Sequence, residues 1–322
     1  MTAVPNAIKF EIHDPTRVRR ARLHAVPGRP GTRSEPNASG RLSRILVATD
    51  GTAASEGAVV VAGLLARRHR ATVDVVSVLP RWGQPPPHPP REFLDTTAEF
   101  LEERLAAVIP QGKRAIGSAT PSWTIRVIDS SSTVDSIAET ARREGHDLIV
   151  TGNRRGWITR WLRRPTAVGV AQRSSVPVLV VPQRVSTLPT RAVVGVEGTD
   201  IDLTAATTTV AVLGDDAAVR LVHVDTTEVP VARERERTES DALWAARFAE
   251  LESAIGDGGI TDVHGVVLRG ADPAARLVAY AEGIDADLIV AGNREPATIG
   301  DRVSGGTRSR IVRASDSCVL LG

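Results

Sequence analysis

Short apolar runs alternate with amphipathic stretches along most of this chain, and the whole pattern runs twice. Residues 147–181 read DLIVTGNRRGWITRWLRRPTAVGVAQRSSVPVLVV, and residues 287–321 read DLIVAGNREPATIGDRVSGGTRSRIVRASDSCVLL. Asp147, Leu148, Ile149, Val150, Gly152, Asn153 and Arg154 recur at a constant offset as Asp287, Leu288, Ile289, Val290, Gly292, Asn293 and Arg294. An uncharged run bounded by glycine and polar turns predicts a strand buried on both faces. In the first copy such a strand at 147–150 leads into a basic loop, a helix over about 166–173 and a second strand at 176–181.

The remainder of each copy fits the same plan. In the first half, strand one at 44–50 ends in Asp50-Gly51, and a helix runs from Thr52 to about Arg70 with an apolar stripe of Ala58, Val59, Ala62, Leu65 and Ala66. Thr52 or Ser55 is the expected N-cap of that helix. Strand two covers 72–79, a proline-rich loop 80–90, an amphipathic helix 91–109, strand three 123–128, and a helix 133–144 capped by Ser132. In the second half, strand one (191–199) carries Glu197 where Asp50 stood. Helices are predicted at 202–213, 234–255 and 274–283, and strands at 219–224, 263–268, 287–291 and 318–321. Asp272-Pro273 is an N-cap aspartate with proline at the first helical position. Helices that alternate with buried strands imply α/β domains, each a doubly wound parallel five-stranded sheet with right-handed crossovers. The expected organisation is a basic tail at 1–43 and repeated domains at 44–183 and 190–322.

Composition refines this picture. The apolar fraction of 42% and charged fraction of 24% are those of an ordinary globular protein. The longest uncharged apolar run, 58–66, is too short to span a bilayer. Residues 1–44 lack a signal-peptide core, and a cytoplasmic protein is the expectation. One cysteine, Cys318, excludes an internal disulfide and a multi-cysteine zinc site, and its place in a strand reads as a small core hydrophobe. No pair of histidines has metal-ligand spacing. The net charge of +2 divides unevenly, because residues 1–44 hold nine basic and three acidic groups, so the rest of the chain is net negative by four. The tail, rich in Pro, Gly and Ser, is expected to stay disordered, and it lacks the aromatic interleaving of a specific nucleic-acid binder.

These residues together resemble the universal stress protein family in its tandem two-domain form. The resemblance rests on Asp50-Gly51-Thr52 and Glu197-Gly198-Thr199 after strand one, on DLIV-x-GN before the basic loop, on the SVPVLVV ending, and on the element order. It implies a fold like that of the adenine-nucleotide α-hydrolases, and a cytoplasmic, non-catalytic stress-response role. It also implies ATP as the ligand, an edge-to-edge pairing of the last strands of the two domains, and a compact monomer or a homodimer of such chains. ATP-binding members carry Gly-x-x-Gly, nine residues, then Gly-Ser or Gly-Thr, since glycine lets backbone N–H groups approach phosphate at a helix start. Here the first half has Gly152, Arg155, Pro165 and Thr166 at those positions, and the second has Gly292, Glu295, Gly305 and Gly306. Neither half keeps the full pattern. The implied nucleotide-binding residues are Asp50, Gly51, Thr52, Val78, Gly152, Arg154, Arg155 and Thr166 in the first half, the better of the two. In the second half they are Glu197, Gly292, Gly305 and Gly306.

Two readings stay open for several of these residues. Asp50 is either a nucleotide ligand or an acid that complements a helix N-terminus. The arginines between 154 and 164, with Trp157 and Trp161, either grip phosphate by charge or form a solvated loop. An interaction scaffold that binds no nucleotide, using the arginine loop and the basic tail, is the alternative function. An α-hydrolase-type enzyme ranks last, because Asp50-Gly51-Thr52-Ala53-Ala54-Ser55 is a poor phosphate loop.

Overall fold

The structure is a computed structural model that describes residues 10–13, 40–80, 123–153, 165–197, 201–226, 234–292 and 306–322. The helix expected at 91–109 and most of the proline-rich loop lie outside the described residues. The first half contains strands β1 (Phe10–His13), β2 (Arg44–Ala48), β3 (Thr72–Pro80), β4 (Trp123–Ser130), β5 (Leu148–Gly152) and β6 (Val178–Val181). Its helices are α1 (Glu56–His69), α2 (Thr133–Glu144) and α3 (Thr166–Arg173). The second half contains strands β7 (Arg191–Gly195), β8 (Ala218–Asp225), β9 (Asp262–Arg269), β10 (Leu288–Ala291) and β11 (Cys318–Leu321). Its helices are α4 (Ile201–Val212), α5 (Glu234–Gly256), α6 (Pro273–Gly283) and α7 (Gly306–Ala314). Strand order within the first half is β4-β3-β2-β5-β6, and within the second β9-β8-β7-β10-β11, all parallel.

The two sheets are one. β6 pairs antiparallel with β11, setting Val180 opposite Val319, Leu179 opposite Leu320 and Val178 opposite Leu321. An exposed edge of such apolar strands would be a template for unwanted pairing, and this junction removes it from both halves. The alternation of side chains then divides the core. Leu179, Val181, Cys318 and Leu320 point to the face covered by α1, α4 and α5, while Val178, Val180, Val319 and Leu321 point to the face of α2, α3, α6 and α7. At the far edge, Phe10–His13 runs parallel to Ile125–Ile128. Four residues of the expected disordered tail therefore add a strand, since an edge ladder supplies the backbone partners that a solvated arm lacks.

The repeated aspartate that opens each DLIV run is structural. Asp147 Oδ2 accepts hydrogen bonds from the backbone N–H of Ser43 (2.6 Å) and Arg44 (2.9 Å). Asp287 accepts in the same way from Thr190 (2.9 Å) and Arg191 (2.8 Å). Each carboxylate therefore fixes where strand one enters beside the neighbouring strand, at the end of the sheet opposite the Asp50 turn. Helix ends follow the chemistry read from the chain. Ser132 accepts from Asp135 N at the start of α2, Asp272 accepts from Ala275 N at the start of α6, and Gly145 closes α2 with φ of 65°. Replacing Asp147 with alanine removes two charge-assisted bonds, and urea unfolding is expected to show a loss of about 2 kcal/mol. Asp147→Asn, which keeps an acceptor, should lose less.

Candidate functional site

Parallel α/β sheets present loops and helix N-termini at the carboxyl ends of their strands, where ligands bind. In the first half Asp50, Val78 and Gly152 stand toward those ends of strands β2, β3 and β5, of which β2 lies between the other two. The turn after β2 is built around Asp50. Thr49 N donates to Val76 O (3.0 Å), which continues the ladder. Gly51 N then donates to Thr49 Oγ1 (3.0 Å), and Gly51 takes φ of 68°, a conformation glycine adopts without penalty. That reversal brings the Asp50 carboxylate back over the chain. Its Oδ1 accepts from Thr52 N (3.0 Å), Thr52 Oγ1 (2.6 Å) and Ser55 Oγ (3.2 Å).

This corrects the capping expectation. Neither Thr52 nor Ser55 makes a side-chain cap; both donate to Asp50 instead. An ionised carboxylate is the stronger acceptor, and a 3-10 turn at Ala53–Ser55 precedes α1. Asp50 thus holds its own turn together, and the same three contacts orient the carboxylate at the strand end.

Gly152 lies directly beneath that turn. A Cβ there would stand 2.5 Å from Ala54 O and 2.9 Å from Ser55 Cα, so its first task is to let the turn settle on β5. Thr166 opens α3 and is exposed. Pro165 precedes it with no N–H to give, and Val168 is the first residue whose N–H bonds back, to Pro165 O (3.0 Å). The N–H groups of Thr166 and Ala167 come before that ladder, and helix-start groups of this kind receive anions. Val78 is half-buried within β3. Arg154 and Arg155 lie outside the described residues.

The second half differs in kind. Glu197 follows β7 and is exposed, and Gly292 follows β10. Gly306 begins α7, and Gly305 lies outside the described residues. Register across β6 and β11 places Arg308 of α7 where α3 has Ala167. Arg308 is only 9% exposed. Burial pulls its pKa down, and the Glu197 charge opposes that shift. A longer acid on the strand and a buried guanidinium on the helix have replaced Asp50 and Ala167.

A charged cluster that the sequence did not reveal lies under the C-terminal end of α2. Asp74, Glu144 and His146 bring ligand atoms within 4.8 Å of one another, although Asp74 and His146 are 72 positions apart. Arg126 holds Glu144 with two bonds of 2.6 Å, and Arg44 reaches Asp74 Oδ2 at 2.7 Å and the Glu144 carbonyl. Buried His146 Nε2 donates to the same Asp74 oxygen at 2.8 Å. Two guanidiniums already neutralise the two carboxylates and repel a cation, so the cluster reads as an ion-pair network that is buried at Asp74 and His146 and opens to solvent at Arg44. Cys318 is buried, and desolvation pushes its thiol up to about 12, as suits a core residue.

The fold defines a tandem pair of doubly wound α/β domains whose strand ends differ, with Asp50 and Ala167 in the first and Glu197 and buried Arg308 in the second. The model of the universal stress protein family matches residues 42–182 and 190–321, and the chain belongs to that family. Among solved structures, a universal stress protein from Archaeoglobus fulgidus DSM 4304 is 19% identical, with a TM-score of 0.63 over 88% of this chain and 97% of that one. A Pseudomonas aeruginosa UCBPP-PA14 protein described in the same terms is 16% identical, with a TM-score of 0.56 over 88% and 94%. A universal stress protein in complex with cAMP is 24% identical over 42% of this chain and 98% of that one, with a TM-score of 0.37. At these identities the likeness speaks to the fold. No curated protein matches the sequence.

Two outcomes follow from this geometry. Gly152→Ala forces the Asp50 turn off β5, and chemical denaturation should show a loss of about 1–3 kcal/mol. Asp74 answers to acid. Burial opposes its ionisation, but the hydrogen bonds and charges of His146 and Arg44 outweigh this and hold its pKa at about 2, below the ordinary carboxylate value of 3.8. Its contribution is therefore fully present above the unfolded value and is lost as pH falls from about 4 to about 2. Wild type should lose about 2 kcal/mol through that window, and Asp74→Asn, already destabilised near neutrality, should lose correspondingly less there.

Proposed function

We propose that this protein is a non-catalytic stress-response protein whose first half binds an adenine nucleotide, ATP in the first instance, and that nucleotide occupancy regulates its contacts. The observation that carries this reading is the difference between the two strand ends. In the first half the turn after β2 presents the oriented carboxylate of Asp50, and α3 begins with the hydroxyl of Thr166 and small Ala167. In the second half, buried Arg308 stands at the equivalent helix position and Glu197 at the equivalent strand end.

In the first half Asp50 would accept from a ribose hydroxyl, Val78 would offer apolar contact to the base, and the N–H groups of Thr166 and Ala167 would take a phosphate oxygen. Arg154 and Arg155 bring positive charge in the intervening loop and compensate for the N–H that Pro165 lacks. No helix among the described residues is long and apolar enough to cross a membrane, and the cytoplasm is the compartment this reading adopts.

A second reading draws on a specific contact. The Asp50 oxygen already takes three hydrogen bonds from its own turn. On that reading both sites are vestigial, and the arginine loop with the basic tail forms a binding surface.

Mass spectrometry of nucleotide released on denaturing the purified protein, followed by calorimetry with Mg-ATP, separates the two. The expected result is about one nucleotide per chain, affinity weakened at least about tenfold in Asp50→Ala, an unchanged stoichiometry in Arg308→Ala, and phosphate release at background. An empty protein that fails to bind added Mg-ATP would leave the scaffold reading. Steady phosphate release lost in Asp50→Ala would overturn the non-catalytic assignment.

A further inference from the structure

The Asn that follows Gly152 reaches into the other half of the molecule. Asn153 N donates to Val181 O (2.9 Å), which pins its backbone to the end of β6. Its side-chain amide Nδ2 donates to Val312 O of α7 at 3.2 Å, across 159 positions of sequence. Val312 lies in the last turn of α7, where carbonyls have run out of intrahelical donors, and Ser315 N already takes the preceding carbonyl, Ile311 O (2.8 Å). The bond is therefore a C-terminal cap on α7, supplied by the first half from the residue that begins its strand-end loop.

The same helix carries Gly306 and Arg308 at its other end, beside Glu197. α7 is nine residues long, so one short rigid element joins the cap to the second strand-end site. It also packs on α3, whose first turn lies at the first site. Asn293 recurs at the equivalent position of the second repeat and lies outside the described residues.

We propose that Asn153 is a coupling residue. It ties the end of β5 to α7, so that occupancy of the first strand-end site changes the order of α7 and, through it, the surroundings of Arg308 and Glu197. Movement at one helix end is carried to the other because Ser309 and Ile311, between Arg308 and the capped Val312, are fully buried. The ligand-driven part rests on the nucleotide reading of the first half; the cap itself does not.

Hydrogen exchange read by mass spectrometry on the full chain tests both. Without added nucleotide, Asn153→Ala and Asn153→Asp should each speed exchange of α7 amides by roughly three- to tenfold, the effect of one neutral hydrogen bond, with α6 unchanged. The aspartate variant keeps the shape, removes the donor and sets a negative charge against the Val312 carbonyl, and the alanine variant removes the donor without that charge. With Mg-ATP, wild type should gain protection in α7, whereas Asn153→Ala should bind with similar affinity and show no such gain. Unchanged α7 exchange in both variants would overturn the proposal, as would α7 protection that rises equally with and without the Asn153 amide, or that fails to rise in wild type that does bind. Wild type that binds no nucleotide would refute the nucleotide reading and with it ligand-driven coupling, and the exchange of the unliganded variants would still decide the cap.

Discussion

Everything in this molecule depends on burying the last strand of each repeat. β6 and β11 are wholly apolar, and a parallel α/β domain that ends on such a strand leaves one edge open. Antiparallel pairing of the two closes both edges and makes a single sheet from one end to the other. Because side chains alternate across that junction, both faces of the core pass through it without a break. The halves are then no longer independent bodies. Contacts such as Arg68–Asp215 (2.6 Å) and His69 Nε2 to Ala211 O (2.7 Å) join α1 to the end of α4, and Asn153 joins the first half to α7.

That shared core gives duplication a consequence. Two copies held in fixed register can differ at their strand ends while they share one continuous core. The structural half of each repeat was kept: Asp147 and Asp287 clamp strand one in the same way, and the Thr49 N–Val76 O bond has its equivalent in Val196 N–Val222 O (2.8 Å). The chemical half was not. The second copy has glutamate for aspartate and arginine for alanine, and the first has proline just before its helix start. A charge taken into a helix start calls for an opposite one nearby, and Glu197 supplies it for Arg308.

The limits of motif reading show at Gly152. Its place in a glycine pattern invites a phosphate-binding role, yet the contact it permits is with Ala54 O and Ser55 Cα. Asp50 likewise serves its own turn before it can serve a ligand. In both cases the local structural demand and the binding role call for the same residue type, so the sequence alone does not separate them.

Strand and helix placement was legible from the residues, because hydrophobic period and capping are local. α3 and the cap of α2 by Ser132 stand where the apolar pattern and the serine place them, and the tandem plan follows from the DLIV-x-GN repeat. What the sequence could not contain was any relation set by distance in space. The ion-pair network of Arg44, Asp74, Arg126, Glu144 and His146 draws on three strands and the end of α2, none with metal or motif spacing. Asn153 was visible only as a repeated letter, and its partner is a backbone carbonyl, which no side-chain pattern marks. The chain by itself determined which elements form and that they form twice. Tertiary structure decided which edges meet and which charges come together, because those depend on burial and register between segments far apart in sequence.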